Sequence, residues 1–225
     1  GVPHWYEIVT SILPDGYTEL EYIESTGTQY IDTGIYPGTT PRFLIEWSPT
    51  VLNVSNYLVG ARISDGSFWA GIMGAQATNG INSSITVIDN TSLSVSFTTP
   101  RQLNHWYRNE SSVEYDTTSG YRGFYKLDDI TGDVHETLYS DYVQGTPVTE
   151  DTQTILLFGV KQGQYVKARI KSYTYYNNYT NTIPSMNMVP ARRDSDNVVG
   201  MFDTVSNTFF TNAGSGSFTA GPVVE

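Results

Sequence analysis

The chain has no cysteine in its 225 residues. Disulfides therefore cannot staple the fold, and thiol nucleophiles and cysteine-built zinc sites are excluded. Basic charge is scarce as well: 12 Lys and Arg stand against 23 Asp and Glu, a formal net charge of −11. Such a surface repels a phosphate backbone, so no nucleic acid partner is expected, and a neutral sugar, a divalent cation or a protein remains compatible. No apolar run approaches the roughly 20 residues of a membrane-spanning helix, and no membrane insertion is expected. No segment sustains a helical period beyond about two turns. The chain opens on Gly1 without a visible secretory signal, as a processed chain or a piece of a longer one would.

What is abundant is β-forming and turn-forming. Aromatics make up 13% of the chain, including 17 Tyr, while charged residues make up only 16%. β-Branched and aromatic side chains suit pleated strands, and Asn, Gly and Ser suit the turns between them. Residues 1–16 read as a lead-in or a junction to an upstream module, with Trp5, Tyr6, Ile8, Val9 and Ile12 apolar and Leu13-Pro14-Asp15-Gly16 as a turn. Residues 17–225 read as one domain of short strands. Phe43, Ile45 and Trp47 alternate with Leu44 and Glu46, the period of a strand with one buried face. Further strands are predicted over 30–35, 56–62, 68–73, 84–88, 92–98, 106–108, 112–115, 121–127, 136–139 and 155–160. Val166, Ala168 and Ile170 alternate with Lys167, Arg169 and Lys171, and a one-residue slip would bury three cations, so the register is firmly specified. Val198–Asp203 and Thr208–Asn212 read as a closing hairpin around Val205-Ser206-Asn207. The class is all-β, a sandwich or barrel.

Two stretches carry a resemblance. One runs from Leu13-Pro14-Asp15-Gly16-Tyr17 through Glu21-Tyr22-Ile23-Glu24-Ser25-Thr26-Gly27 to Ile31-Asp32-Thr33-Gly34. The other runs from Val189-Pro190-Ala191-Arg192-Arg193-Asp194-Ser195-Asp196-Asn197 through Gly200-Met201-Phe202-Asp203 and Phe209-Phe210-Thr211-Asn212-Ala213-Gly214 to Ala220-Gly221-Pro222. Together they resemble concanavalin A-like, laminin-G-like jelly-roll modules of phage tail or virion proteins and of gut-bacterial surface proteins. The resemblance spans residues 13–222 and implies a jelly-roll β-sandwich of two antiparallel sheets. It also implies an exterior location, on a virion or a bacterial cell surface, and a cell-surface glycan or a neighbouring virion or surface protein as partner. It supplies no defined binding residues.

The residues themselves offer candidates. For a sugar, aromatic rings pack on the C–H face of the ring while amides, carboxylates and guanidinium groups take the hydroxyls. That chemistry selects Tyr57, Asp65 with Trp69, Tyr121 beside Arg122, and the tract holding Tyr175 and Asn177. For calcium, which takes six to eight oxygens, the acidic loops offer Asp128, Asp129 and Asp133, and also Asp194 with Asp196. Laminin-G-like sandwiches often hold that ion, although acidic loops in an acidic protein usually serve as solvated turns. Glycoside hydrolysis on such a fold needs two carboxylates about 5–5.5 Å apart in a retaining enzyme. Glu114-Tyr115-Asp116 is the nearest candidate, but no second Glu follows, so no enzyme is expected. The three histidines, His4, His105 and His135, are far apart in sequence and show no metal-ligand spacing.

Overall fold

The computed structural model describes residues 12–52, 56–62, 68–74, 82–88, 91–100, 102–131, 133–146, 153–160 and 163–225. Among these residues the secondary structure is entirely β, in two antiparallel sheets. The larger has eleven strands. Its main path runs β11 (Val134–Tyr139), β10 (Gly120–Asp129), β9 (Tyr107–Asp116), β4 (Arg42–Pro49), β13 (Lys167–Tyr176), β14 (Met186–Arg193), β15 (Val199–Asp203) and β16 (Thr208–Thr211). Three short strands attach to it: β1 (Tyr17–Glu19) beside β14, β2 (Ile23–Thr26) beside β13, and β17 (Thr219–Ala220) beside β2. The six-stranded sheet runs β3 (Ile31–Asp32), β12 (Leu156–Leu157), β5 (Asn56–Arg62), β6 (Phe68–Gly74), β7 (Asn82–Ile88) and β8 (Thr91–Ser96). This is the expected jelly-roll sandwich.

One core fills the space between the sheets. Phe43, Ile45 and Trp47 of β4 and Tyr173 and Tyr175 of β13 meet Leu58, Leu93 and Leu157 of the smaller sheet. The opposite face of β4, β9 and β10 is laced with ion pairs, Arg108 to Glu46, Lys126 to Asp128 and Arg122 to Glu114. Solvent-exposed pairs contribute only about 0–1 kcal/mol each, but here the Glu46 and Asp128 carboxylates keep only 16% and 7% of their side-chain surface exposed. The alternation read in β13 holds through Ile170, which is fully buried. A bulge at Lys171 then shifts the register against β4 so that Tyr173 and Tyr175 return to the core.

Three departures from the sequence expectation have physical causes. The segments at 106–108 and 112–115 are one strand, β9, because Asn109 and Ser111 occupy inward positions where apolar side chains were expected. Of the apolar run 155–160 only Leu156 and Leu157 join a ladder: Phe158, fully buried, takes a positive φ of 68° and ends the pairing. β14 was not anticipated, since it contains Pro190, which lacks the N–H an interior strand uses. In the fold, β13 pairs with β14 only along 186–188, whereas β1 takes over at 191–193. Pro190 sits where one neighbour hands over to the other, and its carbonyl accepts the Leu20 N–H at 3.0 Å.

The two motif stretches meet in space. β1 pairs with β14 and β17 pairs with β2, and Leu20 bridges to Val223. Asn212 Oδ1 accepts the N–H groups of Tyr30 (3.1 Å) and Gly214 (2.8 Å), and Ala213 N–H donates to the Tyr30 carbonyl. A Cβ at Gly214 would lie 2.1 Å from the Thr28 carbonyl oxygen, so this approach needs glycine. The motif residues are therefore the seam of the sandwich. Leu13 joins that seam, buried with Ala191 and Phe202, so the predicted lead-in reaches into the sandwich at its last residues. Trp5 and Tyr6 lie outside the described residues.

Gly123 of β10 has a different reason. The Tyr125 ring folds over it, and a Cβ there would lie 2.3 Å from Cε2. That ring is fully buried and its hydroxyl donates to the Leu93 carbonyl across the sandwich, so it cannot swing away. Gly123→Ala is expected to destabilise the fold by about 1–3 kcal/mol, the range for an overpacked core. A urea unfolding curve checks it: the midpoint should drop with the m-value unchanged.

Candidate functional site

The five ligand candidates among the described residues are spread over both sheets rather than gathered on one surface. Tyr57 is buried in β5. Tyr175 is fully buried, its hydroxyl oxygen accepts the Gly38 N–H at 2.9 Å, and desolvation pushes its phenol up to about 12. Both are core side chains and offer no ring face to a sugar. Asn177 is exposed just beyond the end of β13. Trp69 lies within β6, on the other sheet, and Asp65 lies outside the described residues. Tyr121 stands on the β10 hairpin, whose opposite face carries an aromatic surface.

That surface is built on the β9–β10 hairpin and the edge strand β11. Asp116 ends β9 and accepts the N–H groups of Thr118 (2.9 Å) and Ser119 (2.7 Å), which fixes the hairpin turn. The Ser119 and Thr118 backbone bonds hold the Asp116 carboxyl below its ordinary value. Segment 140–143 then folds back: Val143 bridges to Tyr121, and the Ser140 hydroxyl accepts the Gly123 N–H at 2.8 Å. On the outward face Glu114 stands opposite Arg122 and Phe124 opposite Tyr139. The Arg122 guanidinium donates from Nε to Glu114 (2.8 Å), and this bond raises its pKa further. It lies 4.3 Å from the Tyr139 ring centre and 5.1 Å from that of Tyr142. Tyr139 and Tyr142 keep 50% and 44% of their surface exposed, so each ring still reaches solvent although the arginine lies over both and Phe124 packs on Tyr139. On the inner side of the same hairpin, Tyr115 and Tyr121 rings lie 4.6 Å apart. Sequence reading finds Tyr121 beside Arg122 but not Tyr139 and Tyr142, because the pairing of β10 with β11 and the return of segment 140–143 onto Tyr121 bring them there.

The acidic set Asp128, Asp129 and Asp133 does not converge. Neighbours on a strand point to opposite faces: Asp128 turns outward to Lys126 Nζ at 2.7 Å, and Asp129 stands opposite Tyr107. Asp133 is exposed and offers its backbone carbonyl to the Asp129 N–H at 2.8 Å. The carboxylate of Asp129 instead meets two histidines. His105, on the loop before β9, bonds Oδ1 through Nε2, and so does His135 of β11, at 2.8 Å. The bonds from His135 and then His105 hold the Asp129 carboxyl below its ordinary value. Two of the three histidines, distant in sequence, are thus neighbours in the fold. Packed against them is Tyr107, whose ring is edge-on to His105 with centres 4.7 Å apart.

A surface cavity of about 470 Å³ lies at the seam, lined by Arg193, Asp196, Val199, Asn212 and Phe218 among others. Several of its polar groups are already engaged: Arg193 is doubly bonded to Asp196, and Asn212 bonds backbone groups of Tyr30, Gly214 and Gly216. It is a weaker ligand surface than the tyrosine platform.

No protein-family description matches this sequence, and no curated protein matches it. Among solved structures, it is similar to the native heptameric SAP-like pentraxin from Limulus polyphemus, at 8% identity and a TM-score of 0.53 over 92% of this chain and 94% of that one. It is also similar to the IT-sialidase CBM40 of Ruminococcus gnavus, at 13% identity and a TM-score of 0.47 over 76% of this chain and 95% of that one. The same module bound to α2,3 sialyllactose gives 12% identity and a TM-score of 0.47, over 77% and 95%. Identities this low speak to fold alone, and the pentraxin likeness agrees with the two-sheet jelly roll.

Proposed function

We propose that this chain is a non-catalytic carbohydrate-binding module on the exterior of a phage tail or virion or of a bacterial cell, and that the Arg122–Tyr139–Tyr142 platform is its ligand surface. The observation that carries this reading is two half-exposed tyrosine rings flanking an arginine already fixed by Glu114. Exposed rings stack on the C–H face of a pyranose, and the fixed guanidinium and carboxylate offer donors and acceptors to its hydroxyls. Because Glu114 neutralises Arg122 within the platform and the chain carries −11 overall, a neutral glycan fits better than an anionic one.

The test is a broad glycan array, with and without calcium, followed by titration of the best hit. Selective binding is expected, with Tyr139→Ala and Tyr142→Ala each weakening it about tenfold, on the order of 1.4 kcal/mol, without lowering stability. Binding that survives both substitutions would place the ligand elsewhere. A blank array from folded protein would favour a purely structural module whose partner is a neighbouring protein.

A further inference from the structure

We infer that His105, Asp129 and His135 form a binding site for a divalent transition-metal ion of the zinc class, pinning the loop before β9 to the β10–β11 hairpin. The inference is independent of the glycan reading. Their donor atoms, both imidazole Nε2 and one carboxylate oxygen, all lie within 4.8 Å of one another. Among the described residues this is the one such group of three. Three separate elements supply them, so the convergence is tertiary and does not come from a local acidic turn. The side chains retain 35%, 17% and 30% exposure, which leaves the outward side open to a water or a further ligand.

Donor chemistry selects the ion. Two imidazoles and a carboxylate suit zinc, cobalt, nickel and copper, whereas calcium seeks oxygen alone. Zinc bonds of about 2.0–2.2 Å put neighbouring ligand atoms roughly 3.3 Å apart. His135 Nε2 already stands 2.8 Å from Asp129 Oδ1, so the side chains need only part slightly to admit an ion. Without metal, an ionised carboxylate can only accept, so each ring presents N–H at Nε2 to the same oxygen. The ion takes the place of those two hydrogens, which move to Nδ1 or to solvent, and no electron transfer is involved. Tyr107, pressed on His105 and held through its hydroxyl by the Gln102 N–H at 2.8 Å, backs the site from the core.

The test uses the full, untagged chain stripped with chelator and titrated with zinc chloride by calorimetry, with cobalt chloride followed by visible absorption in parallel. One zinc per chain is expected, together with cobalt d–d bands that zinc abolishes. His105→Gln, His135→Gln and Asp129→Asn should each weaken zinc binding at least tenfold, whereas Asp196→Asn, at the seam, should leave it unchanged. Unfolding curves in chelator establish that each variant is folded. Should one fail, imidazole nitrogen NMR of the unmutated chain decides instead: zinc must shift the Nε2 resonances of His105 and His135. No saturable binding up to millimolar zinc, or binding unmoved by both His105→Gln and His135→Gln, would overturn the site.

Discussion

Asp203→Ala is expected to destabilise the fold by about 3–5 kcal/mol, although the residue touches no cation. Asp203 ends β15 and is only 1% exposed. Its Oδ1 accepts the N–H groups of Asn187 (2.8 Å) and Val205 (3.1 Å), and Oδ2 accepts the N–H (3.1 Å) and hydroxyl (2.5 Å) of Ser206. One carboxylate thus satisfies three backbone donors and holds the β15–β16 turn, in which Asn207 takes a positive φ of 54°. Alanine would orphan all three donors, and a buried unsatisfied donor costs about 1–3 kcal/mol before water relieves part of it. Asp203→Asn keeps the shape but turns an amide donor toward other donors, so roughly half the loss is expected. Urea unfolding at neutral pH reads both. An alanine variant as stable as the parent would mean that the turn stands without its carboxylate.

Trp47 carries the second large expectation. Its side chain is fully buried at the centre of β4, and its Nε1–H donates to Asn109 Oδ1 of β9 at 2.7 Å, Asn109 being fully buried too. Trp47→Ala should cost about 3–5 kcal/mol through the cavity it leaves. Trp47→Phe isolates the hydrogen bond: most of the volume stays, while a buried amide oxygen loses its donor, for roughly 2–3 kcal/mol. A double-mutant cycle with Asn109→Ala separates the two effects. Asn109→Ala should cost clearly less in the Trp47→Phe background than in the parent, and additive losses would rule out the coupling.

How far the sequence could be read follows from where each signal is stored. The strand Lys167–Tyr176 was legible because a strict period of two assigns its faces, and only the bulge at Lys171 was hidden. β14 was illegible because a proline rule that holds for a strand with constant neighbours fails where the neighbour changes at Pro190. The tyrosines illustrate a different limit. Nothing in a run such as Tyr173-Thr174-Tyr175-Tyr176 tells a core ring from a platform ring: Tyr175 is fully buried, while Tyr176 lies outside under the Arg42 guanidinium, 4.0 Å from its ring centre. The sequence offers Asp128, Asp129 and Asp133 as an acidic loop, and reading that loop as a hairpin turn brings His135 near Asp129. His105 comes only with the docking of its loop beside β9, a contact that no local spacing encodes.

The seam that joins β2 to β17 also sets a clock. Glu24 faces Thr219 and Ile23 faces Ala220, and Ile23 has no exposed surface once the sheet is closed. Pairings between residues so distant along the chain incur loop-closure entropy before any contact offsets it, which places this fold among slow folders. As the polypeptide grows, β2 has no partner until β13 has been made, and its other edge stays open until β17 follows. During that interval its open edges are available to neighbouring chains. The interval between making β2 and its partners is therefore one during which this chain's yield depends on how fast they follow.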